Sequence, residues 1–137
     1  MTSDKPQVTG YNPLGLHPAY RNQAGYKKLI AWQKADELAH RVYDLTLQFP
    51  KEELFSLTSQ IRRAALSVPA NIIEGYARNN KNEFRHFLSI ALGSLAEVEY
   101  YLEFAFERRL IPKKDFDEGE RIRANCGKLL WKLYKSQ

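Results

Sequence analysis

The sequence predicts an all-α protein: an antiparallel up-down-up-down four-helix bundle over residues 29–137, preceded by an extended arm over residues 1–28. Three observations carry that expectation. Apolar residues recur every three or four positions through four long segments. The breaks between them are short and marked by Pro50, the pair Asn79 and Asn80, and Pro112, and short connections favour antiparallel neighbours. Three of the six prolines (Pro6, Pro13, Pro18) and three of the seven glycines (Gly10, Gly15, Gly25) precede residue 26, in a stretch without hydrophobic period. That stretch still holds Tyr11, Leu14, Leu16, Tyr20 and Tyr26, more apolar surface than a linker needs, so part of it is expected to lie against the bundle or a neighbouring subunit.

The first helix is expected from about Leu29 to Gln48, with Ala35, Leu38, Val42 and Leu45 on one seam and Pro50 as its stop. Trp32, Ala39 and Tyr43 form a second edge that widens the core-facing stripe, and Trp32 and Tyr43 also join Ile90, Tyr100, Tyr101 and Phe104 as surplus apolar surface expected at a subunit contact. The second helix, about Glu53 to Arg78, carries Pro69 in its middle, at a cost of about 3 kcal/mol in a helix interior. Gln60, Arg63, Ser67, Asn71, Glu74 and Arg78 nevertheless keep one polar line across Pro69, which predicts a single helix kinked there rather than two helices. Ile61, Ala64, Ala65, Val68, Ile72 and Gly75 form its core face.

Asn80 and Glu83 make a capping box for a third helix that runs to about Arg109 on the seam Phe84, Phe87, Leu88, Ala91, Leu95, Val98, Leu102 and Ala105. Gly93 and Ser94 permit a close helix approach, while Ile90, Tyr100, Tyr101 and Phe104 exceed what one seam uses. Pro112 opens the last helix, where its missing donor costs little. Asp115, Asp117 and Glu118 suit the positive end of that helix, and Lys128, Lys132 and Lys135 the negative end. Cys126 falls on its seam and reads as a buried small hydrophobe.

The segments AWQKADELAHRVYDLTLQFP, SQIRRAALSVPANIIEGYAR and FRHFLSIALGSLAEVE strongly resemble the bacterial four-helix-bundle proteins encoded in intervening sequences of 23S ribosomal RNA genes. The resemblance spans roughly Leu29 to Tyr134 and leaves the arm uncovered. It implies an antiparallel bundle, assembly into a homopentamer and a role in binding nucleic acid. A more distant resemblance, to the accessory protein of diversity-generating retroelements, points the same way. Neither implies a catalytic residue.

Length and composition bound the function. A chain of 137 residues fits a single domain that buries roughly two-thirds of its unfolded surface. No run approaches the roughly 18 to 20 apolar residues of a membrane span, and no apolar leader precedes the arm, so a cytoplasmic location is expected. Twenty-one Lys and Arg against sixteen Asp and Glu give +5 and a pI near 9.3, which favours anionic partners without naming one. His17, His40 and His86 stand far apart with one Cys, and no metal-ligand or phosphate-loop spacing occurs, so neither metal nor cofactor is expected. Arg78, Asn79 and His86 superficially resemble the Arg–His motif of HEPN ribonucleases. Seven residues separate Arg78 from His86, and the two fall on different helices, so the match fails and no catalytic residue is expected.

Two constellations remain. Ser and Asn on the polar line are mediocre helix formers, and they predict a half-buried network of Gln60, Arg63, Ser67, Asn71 and Glu74 with partners Ser94 and Glu97 on the third helix. Arg62, Arg78, Lys81, Arg85 and His86 predict a phosphate-binding patch at the junction of helices two and three, repeated around a ring. The expected function is a non-enzymatic homopentamer that binds structured RNA or DNA through basic helix ends. The alternative is a scaffolding oligomer with a polypeptide partner. Salt-dependent binding separates the two.

Overall fold

A computed structural model describes residues 25–137, and the arm expected over residues 1–24 lies outside the described residues. Four helices follow: α1 (Ile30–Thr46), α2 (Ser59–Ala77), α3 (Lys81–Glu107) and α4 (Lys113–Lys135). Each packs on its two neighbours in the order α1, α2, α3, α4 and back to α1. Contact partners run in opposite directions along neighbouring helices: Ser67 meets Ser94 while Gly75 lies against Phe84 and Phe87, and Arg85 meets Tyr134 while Glu99 meets Arg123. Arg62 Nε donates to Thr46 Oγ1 at 2.8 Å, Ser94 Oγ donates to Ser67 Oγ at 2.8 Å, and Arg85 lies over the Tyr134 ring at 4.3 Å. The bundle is therefore antiparallel throughout, as its short links require.

The expected seams form the core, with Leu38, Val42, Val68, Ile72, Val98 and Leu130 all at 1% exposure or less. Of the second edge of α1, Trp32 and Ala39 are buried in this core, whereas Tyr43 stays exposed at the surface, where the Arg62 guanidinium covers its ring. Gly25–Lys28 departs from the expected extended arm. It folds into a 3-10 turn whose Tyr26 ring meets Trp32 edge-on at 5.0 Å and whose Tyr26 carbonyl accepts from the Leu29 N–H. The start of the second helix is also irregular. A 3-10 turn (Lys51–Glu53) and a π-helical turn (Leu54–Thr58) precede α2; Leu57 and Thr58 are buried in it, while Phe55 stays 91% exposed.

Pro69 sits inside α2, which continues through it as one helix. Pro69 has no N–H for the Ala65 carbonyl, yet its ring is buried and the fully buried Val68 and Ile72 hold the chain on both sides. Burial on both flanks offsets the lost bond. The α2–α3 link ends in Asn79, in the left-handed region at φ 55, a conformation that Asn tolerates. Asn80 then accepts the Glu83 N–H at 3.0 Å, so half of the expected capping box is made.

Gly75 sets how closely α2 approaches α3. A Cβ there would lie 2.8 Å from Phe87 Cβ and 2.9 Å from Phe84 Cδ1, with the Phe84 Cα at 3.3 Å. Gly75→Ala should therefore push the helices apart and cost about 1–3 kcal/mol in urea denaturation, the range for an overpacked core. Unchanged stability would show that the crossing yields freely. Cys126 is fully buried, and burial pushes its thiol up to about 12. The unfolded chain releases that proton nearer 9.0, so the thiol's contribution to stability is intact below that pH and declines as pH rises toward 12. Against Cys126→Val, the wild type should lose up to about 1.4 kcal/mol per pH unit in that window. A difference independent of pH would contradict this.

Candidate nucleic-acid interface

The antiparallel packing gathers four chain segments at one end of the bundle: the start of α1 with its preceding turn, the end of α2, the start of α3 and the end of α4. Residues 25–37, 70–92 and 128–137 hold nine Lys and Arg against four Asp and Glu. The rest of the described chain holds ten against eleven. The positive excess of the bundle thus lies at one end, where it acts as a single field.

Within that end the five predicted residues divide. Arg78 is committed to carboxylates. Its Nη2 donates to Glu74 Oε2 at 2.7 Å, Nη1 stands 3.5 Å from Glu83 Oε1, and the guanidinium lies 5.0 Å from the Phe87 ring centre. The hydrogen bond to Glu74 leads the causes that hold its pKa above the usual arginine value. His86 is exposed beside it, edge-on to Phe87 at 5.3 Å. Lys81 and Arg85 are one turn apart and therefore share a different face of α3, the one turned toward α4, where Arg85 meets Tyr134. Lys81 is exposed and makes no ion pair among the described residues.

Arg62 does not join them. It lies sixteen residues before Arg78, about 24 Å along the helix axis. There it is half-buried, bonded to Thr46 and stacked over Tyr43 at 4.5 Å. A helix displaces residues along its axis as well as around it, and the grouping of basic residues by face overlooked the first.

The polar line is likewise narrower than expected. Its centre is a half-buried trio: Asn71 Nδ2 donates to the Ser67 carbonyl at 2.8 Å and to Ser67 Oγ at 2.9 Å, and Ser94 donates to the same hydroxyl from α3. The outer members turn back onto their own helix. Arg63 donates to Gln60 Oε1 at 2.7 Å and Glu74 takes Arg78, all four side chains being exposed. Glu97 is exposed and pairs with none of them. Long side chains satisfied within one turn have no need of a neighbour, so the hydrogen bond that the polar line makes across to α3 is the Ser67–Ser94 hydroxyl pair, with Asn71 holding Ser67 from its own helix.

Sequence reasoning read the lysines of α4 as helix-end charges and overlooked the aromatic pair between them. Trp131 is 51% exposed and stacks on Tyr134 at 5.4 Å with 20° between the rings. Lys135 Nζ stands 5.9 Å from the indole centre, and Lys128 and Lys132 are exposed nearby. The signal was available: two aromatics three apart, inside a lysine repeat of period three to four, lie on one helix flank.

Elsewhere the charged groups are structural. Arg123, at 14% side-chain exposure, bonds Glu120 at 2.9 and 2.5 Å and faces Glu99 of α3 at 3.5 Å. The bonds to Glu120 lead the causes that keep its pKa raised. Among the described residues no His, Cys, Asp and Glu group converges as metal ligands, and no helix is long and apolar enough to cross a membrane.

No curated protein matches the chain. A crystal structure of a protein of unknown function from the S23 ribosomal protein family, from Bacteroides thetaiotaomicron VPI-5482, aligns with a TM-score of 0.71 at 26% identity. The alignment covers 77% of this chain and 96% of that one. The profile of the 23S rRNA-intervening sequence protein family matches residues 27–132, nearly the whole described bundle. The chain belongs to the 23S rRNA-intervening sequence protein family.

Proposed function

We propose that the chain is a non-catalytic, self-associating nucleic-acid-binding protein whose seat for phosphates is the basic end of the bundle. The charge distribution carries this reading: nine basic against four acidic residues at one end, with Lys81, Lys128 and Lys132 outside any ion pair among the described residues. Unpaired Lys and Arg bind phosphate oxygens by displacing condensed counterions, without reading bases. The family's association with ribosomal RNA genes makes structured RNA the first ligand to try. Within the patch Lys81 and Arg85 matter most. Arg78, already held by two carboxylates, contributes less.

Self-association is the second part of the reading. Ile90, Tyr100 and Phe104 are 38 to 59% exposed along the outer face of α3, where Gly93 faces open space. An exposed apolar face of that kind is the surface that a second copy covers. Trp32, buried in its own core, takes no part. A homopentamer repeats the basic end five times and multiplies a modest patch into a strong one. A scaffold with a polypeptide partner would use the same apolar face but would leave the basic end idle.

A structured RNA titrated at several salt concentrations separates the two. Lys81→Gln with Arg85→Gln should lower the log–log salt slope by about two, while Arg78→Gln leaves it nearly unchanged. No binding by the wild type at low salt, or a double variant that binds like it, would favour the scaffold. Light scattering should give about five times the chain mass of 15.9 kDa. Ile90→Glu with Phe104→Glu should reduce it toward one. A single-chain mass for the wild type would remove self-association from the reading.

A further inference from the structure

We propose that Trp131 is a stacking platform for an unpaired nucleobase, flanked by Lys81, Arg85 and Lys135 as phosphate contacts, so that the basic end takes single-stranded segments and loops in preference to continuous duplex. The inference rests on the nucleic-acid reading above and names the class of ligand.

The chain has two tryptophans with opposite fates. Trp32 is 6% exposed in the core, whereas Trp131 keeps half its surface in water at the end of α4. Its indole is not loose. It stacks on Tyr134, which is half-buried, packs against the core and carries the Arg85 guanidinium over its own ring at 4.3 Å. A ring fixed in this way presents its free surface with little entropy left to lose on stacking. The surroundings complement a polyanion: residues 128–137 include three lysines and no Asp or Glu. Arg85 and Lys81 add positive charge from α3 on the side facing α4.

Exposed aromatics set in a basic surface hold single strands, because every unpaired base has a π face to offer. A duplex has no such face free, since its bases already stack on one another. It would bind the same end through phosphates alone. The platform therefore predicts a preference between strand forms that charge by itself does not produce.

The experiment uses the full chain with a short oligouridylate and, separately, an RNA duplex of equal length. The single strand should quench tryptophan emission and the duplex should not. Trp32 is buried at the same end, so the emission change is assigned to Trp131 by its loss in Trp131→Phe, which keeps Trp32 as the remaining tryptophan. With labelled oligonucleotides, Trp131→Ala should weaken single-strand binding about fivefold to a hundredfold, the effect of one lost base–aromatic stack. Duplex binding should stay within about twofold, since phosphate contacts are kept. Trp131→Phe, which retains a ring, should preserve most single-strand affinity, and light scattering should give both variants the wild-type mass. Equal losses on both nucleic acids, binding without quenching, or a variant whose mass changes while its strand preference persists would each overturn the platform. If the wild type binds neither nucleic acid at low salt, the broader reading fails with it. If it binds both and ignores Trp131, only the platform fails.

Discussion

The structure depends on the approach of α2 to α3 at Gly75. With hydrogen in place of a side chain, α2 lies against Phe84 and Phe87, and the Tyr76 ring meets Phe84 edge-on at 6.0 Å. The serine pair Ser67 and Ser94 fixes the same crossing two turns away, with Asn71 completing the bond set. Together they set the rotation of α3 about its axis. That rotation directs Leu88, Ala91 and Leu95 into the core and sends Lys81 and Arg85 toward the end of α4. A helix turned by one residue would scatter those charges by about 100°.

Helix stability explains some of the charge at the basic end and leaves the rest over. Lys132 and Lys135 lie in the last turn of α4, where cations complement the helix dipole by about 0.3–1 kcal/mol each. They need no ligand to account for them. Lys81 and Arg85 open α3, and Lys27 and Lys28 precede α1, where the dipole opposes positive charge. Only Glu83 offers the favourable sign in the first turn of α3, and it is engaged by Arg78. Lys28 and Lys81 thus stand against the local field with no ion pair among the described residues, and they gather on the same end as the lysines that the dipole favours.

Much of the bundle was legible because it rests on periodicity. The seams, the acceptance of the Glu83 N–H by Asn80, the helix start after Pro112 and the passage of one helix through Pro69 all follow from residue spacing. The irregular Lys51–Thr58 stretch was not legible, because 3-10 and π turns leave no distinct apolar period over so few residues. The candidate site was half legible. Ser67 and Ser94 met as expected, but Arg63 and Glu74 found partners within their own helix, a choice that depends on rotamers rather than spacing. Arg62 was misplaced because face was considered without height. Trp131 was missed because the lysines around it were already explained by the helix dipole.

The central claim is that one end of the bundle holds the ligand's phosphates, and lysine acetylation footprinting with and without a structured RNA tests it most directly. Lysines lie at both ends, so each molecule carries its own control. Lys81, Lys128, Lys132 and Lys135 should be protected by the RNA, while Lys51, Lys113 and Lys114 at the opposite end keep their reactivity. Protection of Lys51, Lys113 and Lys114, or equal reactivity of every lysine in a saturated complex, would contradict the assignment.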